Sequence, residues 1–154
     1  MKAARSIALL SYRNYETYHS AQSETDNTSF LDYKSESYQR YQGEKLAKRF
    51  NAFSYYFLSK SMDSHNIGRG RKSIQQALKK IEAKTLVIGI SSDILFPTTE
   101  QEFIADHITG AELNIIDSTY GHDGFLLEFS QMENIIINFL KKSGVKKDAA
   151  LLNN

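Results

Sequence analysis

The sequence predicts an α/β fold in which a helical region precedes the helices and strands of a mostly parallel sheet. Two short runs, KTLVIGI at residues 84–90 and AELNIID at residues 111–117, are rich in β-branched residues and indicate strands. The first run is continuously apolar, which is typical of a strand buried on both faces of a parallel sheet. Helical patterns alternate with these runs, so we expect βαβ crossovers. Two strands cannot bury both of their faces, and we therefore expect these elements to be the last part of a larger sheet.

Residues 1–71 form the helical region. The stretch from Ala3 to Tyr12 predicts a helix, and residues 16–29, ETYHSAQSETDNTS, predict a polar loop. Two or three helices follow, with a break expected near Gly43. Their signal is a set of apolar side chains that recur every three or four residues. These side chains are Phe30, Tyr33, Tyr38, Tyr41, Leu46, Phe50, Phe53 and Phe57.

Residues 72–154 form the α/β region. A helix capped by Ser73 is expected to end near Ile81. A second helix, capped by Thr98 or Thr99, is expected to run to about residue 108. A closing helix is expected from residue 128 or 130 to residue 142. The apolar residues on its inward face are Met132, Ile135, Ile136, Phe139 and Leu140.

The composition limits the possible functions. The chain has 154 residues, a formal net charge of +1 and no cysteine. A nearly neutral chain without a basic stripe gives no indication of nucleic-acid binding. The lack of cysteine excludes a disulfide scaffold, a thiolate zinc site and a thiol nucleophile. Since no signal-peptide core and no run of about 20 apolar residues is present, we expect a cytoplasmic protein that is not bound to a membrane.

Two candidate catalytic residues follow the two predicted strands. Asp93 lies just past the first strand, in GISSDILFP, and His122 lies just past the second, in NIIDSTYGHDGF. Because the carboxyl ends of parallel strands meet at one edge of a sheet, we expect the two side chains to meet there. A histidine that takes a proton from a nucleophile and a carboxylate that orients it are two members of a Ser-His-Asp triad. The order of acid before histidine is that of the α/β-hydrolases, in which the serine comes earlier.

Simpler interpretations exist for both residues. An aspartate after a strand is most often a turn or cap residue, and a histidine in a loop is most often only exposed. Asp117 is a rival acid, although its position suits the turn that ends the second strand. The remaining histidines, His19, His65 and His107, have no comparable partner and are expected at the surface. Gly121 and Gly124 are expected to let the backbone turn tightly around His122.

These motifs, taken together, resemble a known family. LVIGISSDILFPTTEQEFIADHI, followed by DSTYGHDGFLLE, is similar to the C-terminal part of homoserine O-acetyltransferase, an α/β-hydrolase-fold enzyme of methionine biosynthesis. AARSIALLSYRNYETY and YQGEKLAKRFNAFSYYFLSKSMDSHNIGRGR resemble the approach to that family's helical lid and the lid itself. The resemblance implies a partial α/β-hydrolase fold, with the lid in residues 1–71 and part of the hydrolase core in residues 72–154.

The resemblance also implies roles for single residues. Asp93 matches the catalytic acid of the family and His122 its catalytic base. Asp123 matches an aspartate that binds the amino group of the substrate, Arg5 a substrate-binding arginine, and Tyr12 a tyrosine of the same pocket. A zwitterionic amino acid needs such a cation and anion, and an arginine can bind its carboxylate in bidentate fashion. The implied substrates are L-homoserine and acetyl-CoA, a co-substrate rather than a bound cofactor, and no metal is implied. The implied partner is a second copy bound through the lid helices.

The nucleophilic serine of the family has no counterpart in this sequence. It belongs to an elbow of the G-x-S-x-G type, and none of the 8 glycines brackets a serine at that spacing. Covalent acyl transfer requires this serine. We therefore expect a C-terminal fragment that is inactive alone, or the partner of a separately encoded N-terminal half.

Three alternatives stay open at this stage. A relative of the same fold could use succinyl-CoA as donor or serine as acceptor. A plain esterase fits less well, because Arg5 and Asp123 suit a zwitterion better than a neutral ester. The aromatic-rich helices could also form a non-catalytic interaction fragment.

Overall fold

The computed structural model describes residues 1–26, 28 and 30–144. Helices come first along the chain: α1 (Lys2–Tyr12), α2 (Tyr15–Gln22), α3 (Lys34–Arg49), α4 (Ala52–Asp63) and α5 (Ile74–Leu78). The α/β part follows with β1 (Leu86–Ile90), α6 (Thr98–His107), β2 (Glu112–Ile116), α7 (Gly124–Leu127) and α8 (Phe129–Lys142). Residues 145–154, the end of the predicted α/β region, lie outside the described residues.

The two strands pair as the sequence predicts. β1 and β2 are parallel, with Leu86 opposite Glu112 and Ile90 opposite Ile116. Because α6 connects them, the three elements form a βαβ crossover, and Val87, Ile90 and Ile116 are buried in it. The α/β fold class is therefore confirmed. Within the described ranges the sheet consists of these two strands.

Helices α1 and α3 pack directly against each other. Gly43 is buried at their contact, and a Cβ atom there would lie 3.1 Å from the backbone oxygen of Lys2. Helix α3 continues through this glycine to Arg49, so the predicted break near Gly43 is wrong. The close approach of the two helices outweighs the low helix propensity of glycine. The break comes at Asn51, whose side chain accepts a hydrogen bond from the Ser54 N–H at 2.8 Å and caps α4.

A helix replaces the first half of the predicted loop between residues 16 and 29. The side chain of Asn14 accepts a hydrogen bond from the Glu16 N–H at 2.6 Å and caps α2. Glu16 places its carboxylate in the first turn, where negative charge is favourable. The loop prediction is therefore wrong up to Gln22, since a good cap outweighs the polar composition of this stretch.

The helices of the α/β part differ from the prediction mainly at their ends. Ser73 caps α5 as predicted, accepting from the Gln76 N–H at 3.2 Å. The helix stops at Leu78, because the N–H groups of Lys80 and Ile81 bond three residues back instead of four. Helix α6 begins after Pro97 with no side-chain cap, so the predicted threonine cap is wrong. The fixed φ of proline already sets this helix start.

The closing helix is confirmed, but not its whole inward face. Met132, Ile135 and Phe139 are half-buried, whereas Ile136 and Leu140 are exposed. In the described part of the chain, two strands offer α8 only a narrow surface to cover.

Much of the apolar surface of the helical region is exposed. On α4, Phe53 and Phe57 keep 78% and 64% of their surface exposed. The spacing of the aromatic residues therefore predicts the helices but not what these side chains contact. None of the described helices is long and apolar enough to cross a membrane.

Candidate active site

Asp93 and His122 meet at the carboxyl edge of the two-stranded sheet. Asp93 lies in the loop after β1, and His122 lies in a 3₁₀ turn, Gly121–Asp123, after β2. The Nδ1 atom of His122 and the Oδ2 atom of Asp93 are 2.8 Å apart. The carboxylate is buried, whereas the imidazole keeps 24% of its side chain exposed. When Nδ1 donates this hydrogen bond, Nε2 is left as the proton acceptor.

The carboxylate of Asp93 is held by both of its oxygens. While Oδ2 accepts from His122, Oδ1 accepts from the backbone N–H groups of Leu95 at 2.8 Å and Phe96 at 3.0 Å. Asp93 is thus the turn residue of the simple interpretation and also the partner of the histidine. The two backbone donors fix the carboxylate, and the carboxylate in turn fixes the imidazole.

Two serines connect the loop of Asp93 to the loop of His122. The hydroxyl of Ser91 donates to Oδ1 of Asp117 at 3.0 Å and accepts from the Ser118 N–H at 3.3 Å. The hydroxyl of Ser92 accepts from the Gly121 N–H at 3.0 Å. Asp117 is therefore occupied at the end of β2 and does not compete for the histidine. Sequence reasoning missed both serines, whose only signal is that they directly precede Asp93.

Both glycines beside His122 are required, but for different reasons. Gly121 has φ +63°, and a Cβ atom there would lie 2.8 Å from the backbone nitrogen of Asn14. Gly124 has an ordinary helical φ of −54°, but its Cβ would lie 2.9 Å from the hydroxyl oxygen of Ser118. The predicted tight turn therefore applies to Gly121, whereas Gly124 provides space for close packing.

Three aromatic rings surround the imidazole of His122. The ring centres of Tyr12, Phe96 and Phe125 lie 5.6, 5.3 and 5.4 Å from its own. They come from α1, from the Asp93 loop and from α7, so three separate segments enclose the histidine. This apolar surrounding strengthens the hydrogen bond to Asp93 relative to one in water.

The structure brings the sequence-predicted binding residues to the same place as His122. Arg5, Tyr12, Asp123 and His122 all line one pocket of about 310 Å³. The guanidinium of Arg5 lies 5.1 Å from the ring centre of Tyr12, within the range of a cation–π contact. The pocket thus combines a cation, an anion and the candidate base.

Asp123 also has a partner that the sequence did not reveal. The Nε atom of Arg13 lies 3.3 Å from Oδ2 of Asp123. The two residues are 110 positions apart, and no spacing or composition signal connects them.

The other histidines lie elsewhere. His19 and His65 are exposed, whereas His107 is only partly exposed and has Nδ1 2.7 Å from the Phe103 oxygen. Its own helix partly covers it. Among residues 1–26, 28 and 30–144, no group of three or more potential metal-binding side chains occurs.

Comparison with known proteins identifies the family. No family model matches the chain. The homoserine O-acetyltransferase of Cyclobacterium marinum is 48% identical over 139 residues, which are 90% of this chain and 39% of that protein. The chain belongs to the homoserine O-acetyltransferase family. The family indicated by the SSDILFP and GHDGF motifs is thereby confirmed.

Solved structures agree with this result. The homoserine O-acetyltransferase of Staphylococcus aureus is 30% identical with a TM-score of 0.71, covering 99% of this chain and 45% of that one. That of Bacillus anthracis gives a TM-score of 0.77 at 19% identity, with 90% and 40% covered, and at this identity shows the fold alone. The structure is thus part of an α/β-hydrolase fold. The chain spans about 40% of the length of the curated homoserine O-acetyltransferases that it matches.

Proposed function

We propose that this chain supplies the acid–base pair and the acceptor site of an enzyme that transfers the acetyl group of acetyl-CoA to the hydroxyl of L-homoserine. One observation carries the proposal: the 2.8 Å contact between Asp93 and His122 lies at a pocket that is also lined by Arg5 and Asp123. Membership of the homoserine O-acetyltransferase family supports the same reaction.

In the proposed mechanism His122 moves a proton twice. Its Nε2 first takes the hydroxyl proton of a serine, which attacks the thioester of acetyl-CoA, and then gives the proton to the departing CoA sulfur. In the second half Nε2 takes the hydroxyl proton of homoserine, whose oxygen attacks the acetyl-serine ester, and returns that proton to the serine. Asp93 stabilises the imidazolium formed in each half.

The acceptor is proposed to bind by its two charges. The carboxylate of homoserine pairs with the Arg5 guanidinium, and its ammonium pairs with the Asp123 carboxylate. Both side chains line the pocket that His122 also lines, and we propose that a short amino acid bound between them presents its hydroxyl to this base. A neutral ester would leave the Arg5 guanidinium without a carboxylate to bind, which argues against a plain esterase.

The serine has to come from outside the printed sequence, since no G-x-S-x-G elbow is present in it. We propose that the chain alone does not turn over and that an N-terminal half of the fold completes it. The exposed Phe53 and Phe57 of α4 are the proposed contact with a second copy.

A chimera tests the proposal. The matched part of the Cyclobacterium marinum relative is replaced by this chain, and CoA release from acetyl-CoA is followed with and without L-homoserine. We expect homoserine-dependent release in the chimera and none with the chain alone. Asp93→Asn should lower kcat by about 10³- to 10⁴-fold, because the histidine loses its orienting acceptor.

A matched control is the exposed residue Asp63 at the end of α4. Asp63→Asn should leave kcat unchanged. A folded chimera without homoserine-dependent release, or one in which Asp93→Asn behaves like Asp63→Asn, would contradict the proposed function.

A further inference from the structure

Arg13 connects three segments around the candidate acceptor pocket. It follows the last residue of α1, and its Nε lies 3.3 Å from Oδ2 of Asp123 in the turn of His122. Its guanidinium carbon lies 5.5 Å from the ring centre of Tyr38 on α3. The backbone of Arg13 also lies against Gly121, since a Cβ added there would be 2.9 Å from the Arg13 carbonyl carbon. The side chain is about two-thirds buried, so it is not a freely moving surface cation.

The contact between Arg13 and Asp123 uses only one carboxylate oxygen. Arginine often binds a carboxylate through two nitrogens and both oxygens. Here Nε alone contacts Oδ2, and Oδ1 has no hydrogen-bond partner among the residues that the structure describes. One half of the Asp123 carboxylate is therefore still able to accept a hydrogen bond.

The charges of the pocket indicate why Arg13 is paired with Asp123. Arg5, Arg13 and Asp123 line the pocket together, which makes two cations and one anion. An unpaired Arg13 would repel an ammonium group in this small space. Paired with Asp123, it is neutralised and at the same time holds the carboxylate in one orientation. Arg5 then remains for the carboxylate of the acceptor.

We propose that Arg13 is a positioning residue for the amino group of the acceptor: it holds Asp123 by Oδ2 and leaves Oδ1 to accept a hydrogen bond from the ammonium. The inference rests on the proposed function, because it assumes an acceptor that carries both charges. It adds a residue that selects for the amino group, although it does not itself touch the substrate.

The test compares two ligands that differ only in the ammonium. L-homoserine and 4-hydroxybutanoate are titrated into the 154-residue chain, and binding is followed by NMR. Arg13→Gln should weaken L-homoserine binding by about tenfold, as expected for a lost hydrogen bond to a charged group, and should change 4-hydroxybutanoate binding by less than about twofold. Arg13→Lys should recover part of the loss, since lysine keeps the charge without the fixed geometry. The matched control is Arg40→Gln on α3, an exposed arginine paired with Glu36, which should change neither.

A double-mutant cycle shows whether Arg13 acts through Asp123. In the Asp123→Asn background, Arg13→Gln should have no further effect on L-homoserine, because the group that it positions is gone. The inference is overturned if Arg13→Gln weakens both ligands equally, if it weakens neither, or if the two substitutions simply add. Failure of the unsubstituted chain to bind either ligand contradicts the proposed acceptor site and the inference with it. Ligand binding that persists unchanged in Arg13→Gln contradicts the role of Arg13 alone.

Discussion

Gly121→Ala tests whether the backbone between α1 and α2, at Arg13 and Asn14, packs against the 3₁₀ turn that contains His122. Gly121 has φ +63°, and an alanine in this left-handed region costs about 1–2 kcal/mol. The added Cβ would also lie 2.8 Å from the nitrogen of Asn14 and 2.9 Å from the carbonyl carbon of Arg13. Both are backbone atoms that cannot rotate away, and such overpacking adds about 1–3 kcal/mol. We expect a loss of about 2–5 kcal/mol in the free energy of unfolding.

Gly110→Ala is the matched control. Gly110 has φ +74°, but its Cβ would meet nothing within 4 Å. It should therefore show only the backbone cost of about 1–2 kcal/mol. Urea unfolding followed by circular dichroism measures the free energy of unfolding of both variants. The unfolding midpoint of Gly121→Ala should lie about 1 M urea below that of Gly110→Ala, since m is about 1–3 kcal/mol/M for small proteins. Equal losses in the free energy of unfolding for the two alanine variants would refute the contact of Gly121 with the backbone of Arg13 and Asn14.

Three further variants test other contacts of the structure. Ser92→Ala removes the acceptor of the Gly121 N–H and should lower the free energy of unfolding by about 1 kcal/mol; an unchanged urea midpoint would count against the serine contact. Asn14→Ala removes the cap of α2 and should lower the free energy of unfolding by about 1 kcal/mol and weaken the helical circular dichroism signal. An unchanged stability and an unchanged signal would contradict the capping role. Replacing Phe53 and Phe57 by lysine should lower the mass found by light scattering if α4 forms the contact between copies, and an unchanged mass would contradict that contact.

The Asp93–His122 contact was predictable because it depends on features that leave a clear signal in the sequence. Two short strands rich in β-branched residues, joined by one helix, can pair in parallel, and the residues after both strands then share an edge. The structure gives this result, with parallel pairing and a 2.8 Å contact. A single glycine and a polar stretch predicted breaks and loops less well. Packing keeps Gly43 inside α3, and one cap at Asn14 starts α2 in the stretch that was predicted to be a loop.

The parts that could not be predicted depend on contacts between distant residues. Arg13 reaches Asp123 across 110 positions, and nothing in the local pattern around either residue indicates the pair. Ser91 and Ser92 act through single hydrogen bonds to the other loop, which only the register of the two strands brings close. The exposure of Ile136 and Leu140 depends on the width of the sheet beside α8, and the apolar spacing of the helix gives no information on that width.

His122 is the residue that we propose carries the proton during acyl transfer. The most direct measurement is a single turnover of the chimera, in which excess enzyme is mixed with acetyl-CoA and L-homoserine together. Formation of O-acetylhomoserine is then followed by mass spectrometry. We predict rapid transfer in the chimera, unchanged transfer in His65→Asn, an exposed histidine, and transfer slowed by about 10³-fold or more in His122→Asn. Equal rates in His122→Asn and His65→Asn would contradict a role of His122 in proton transfer.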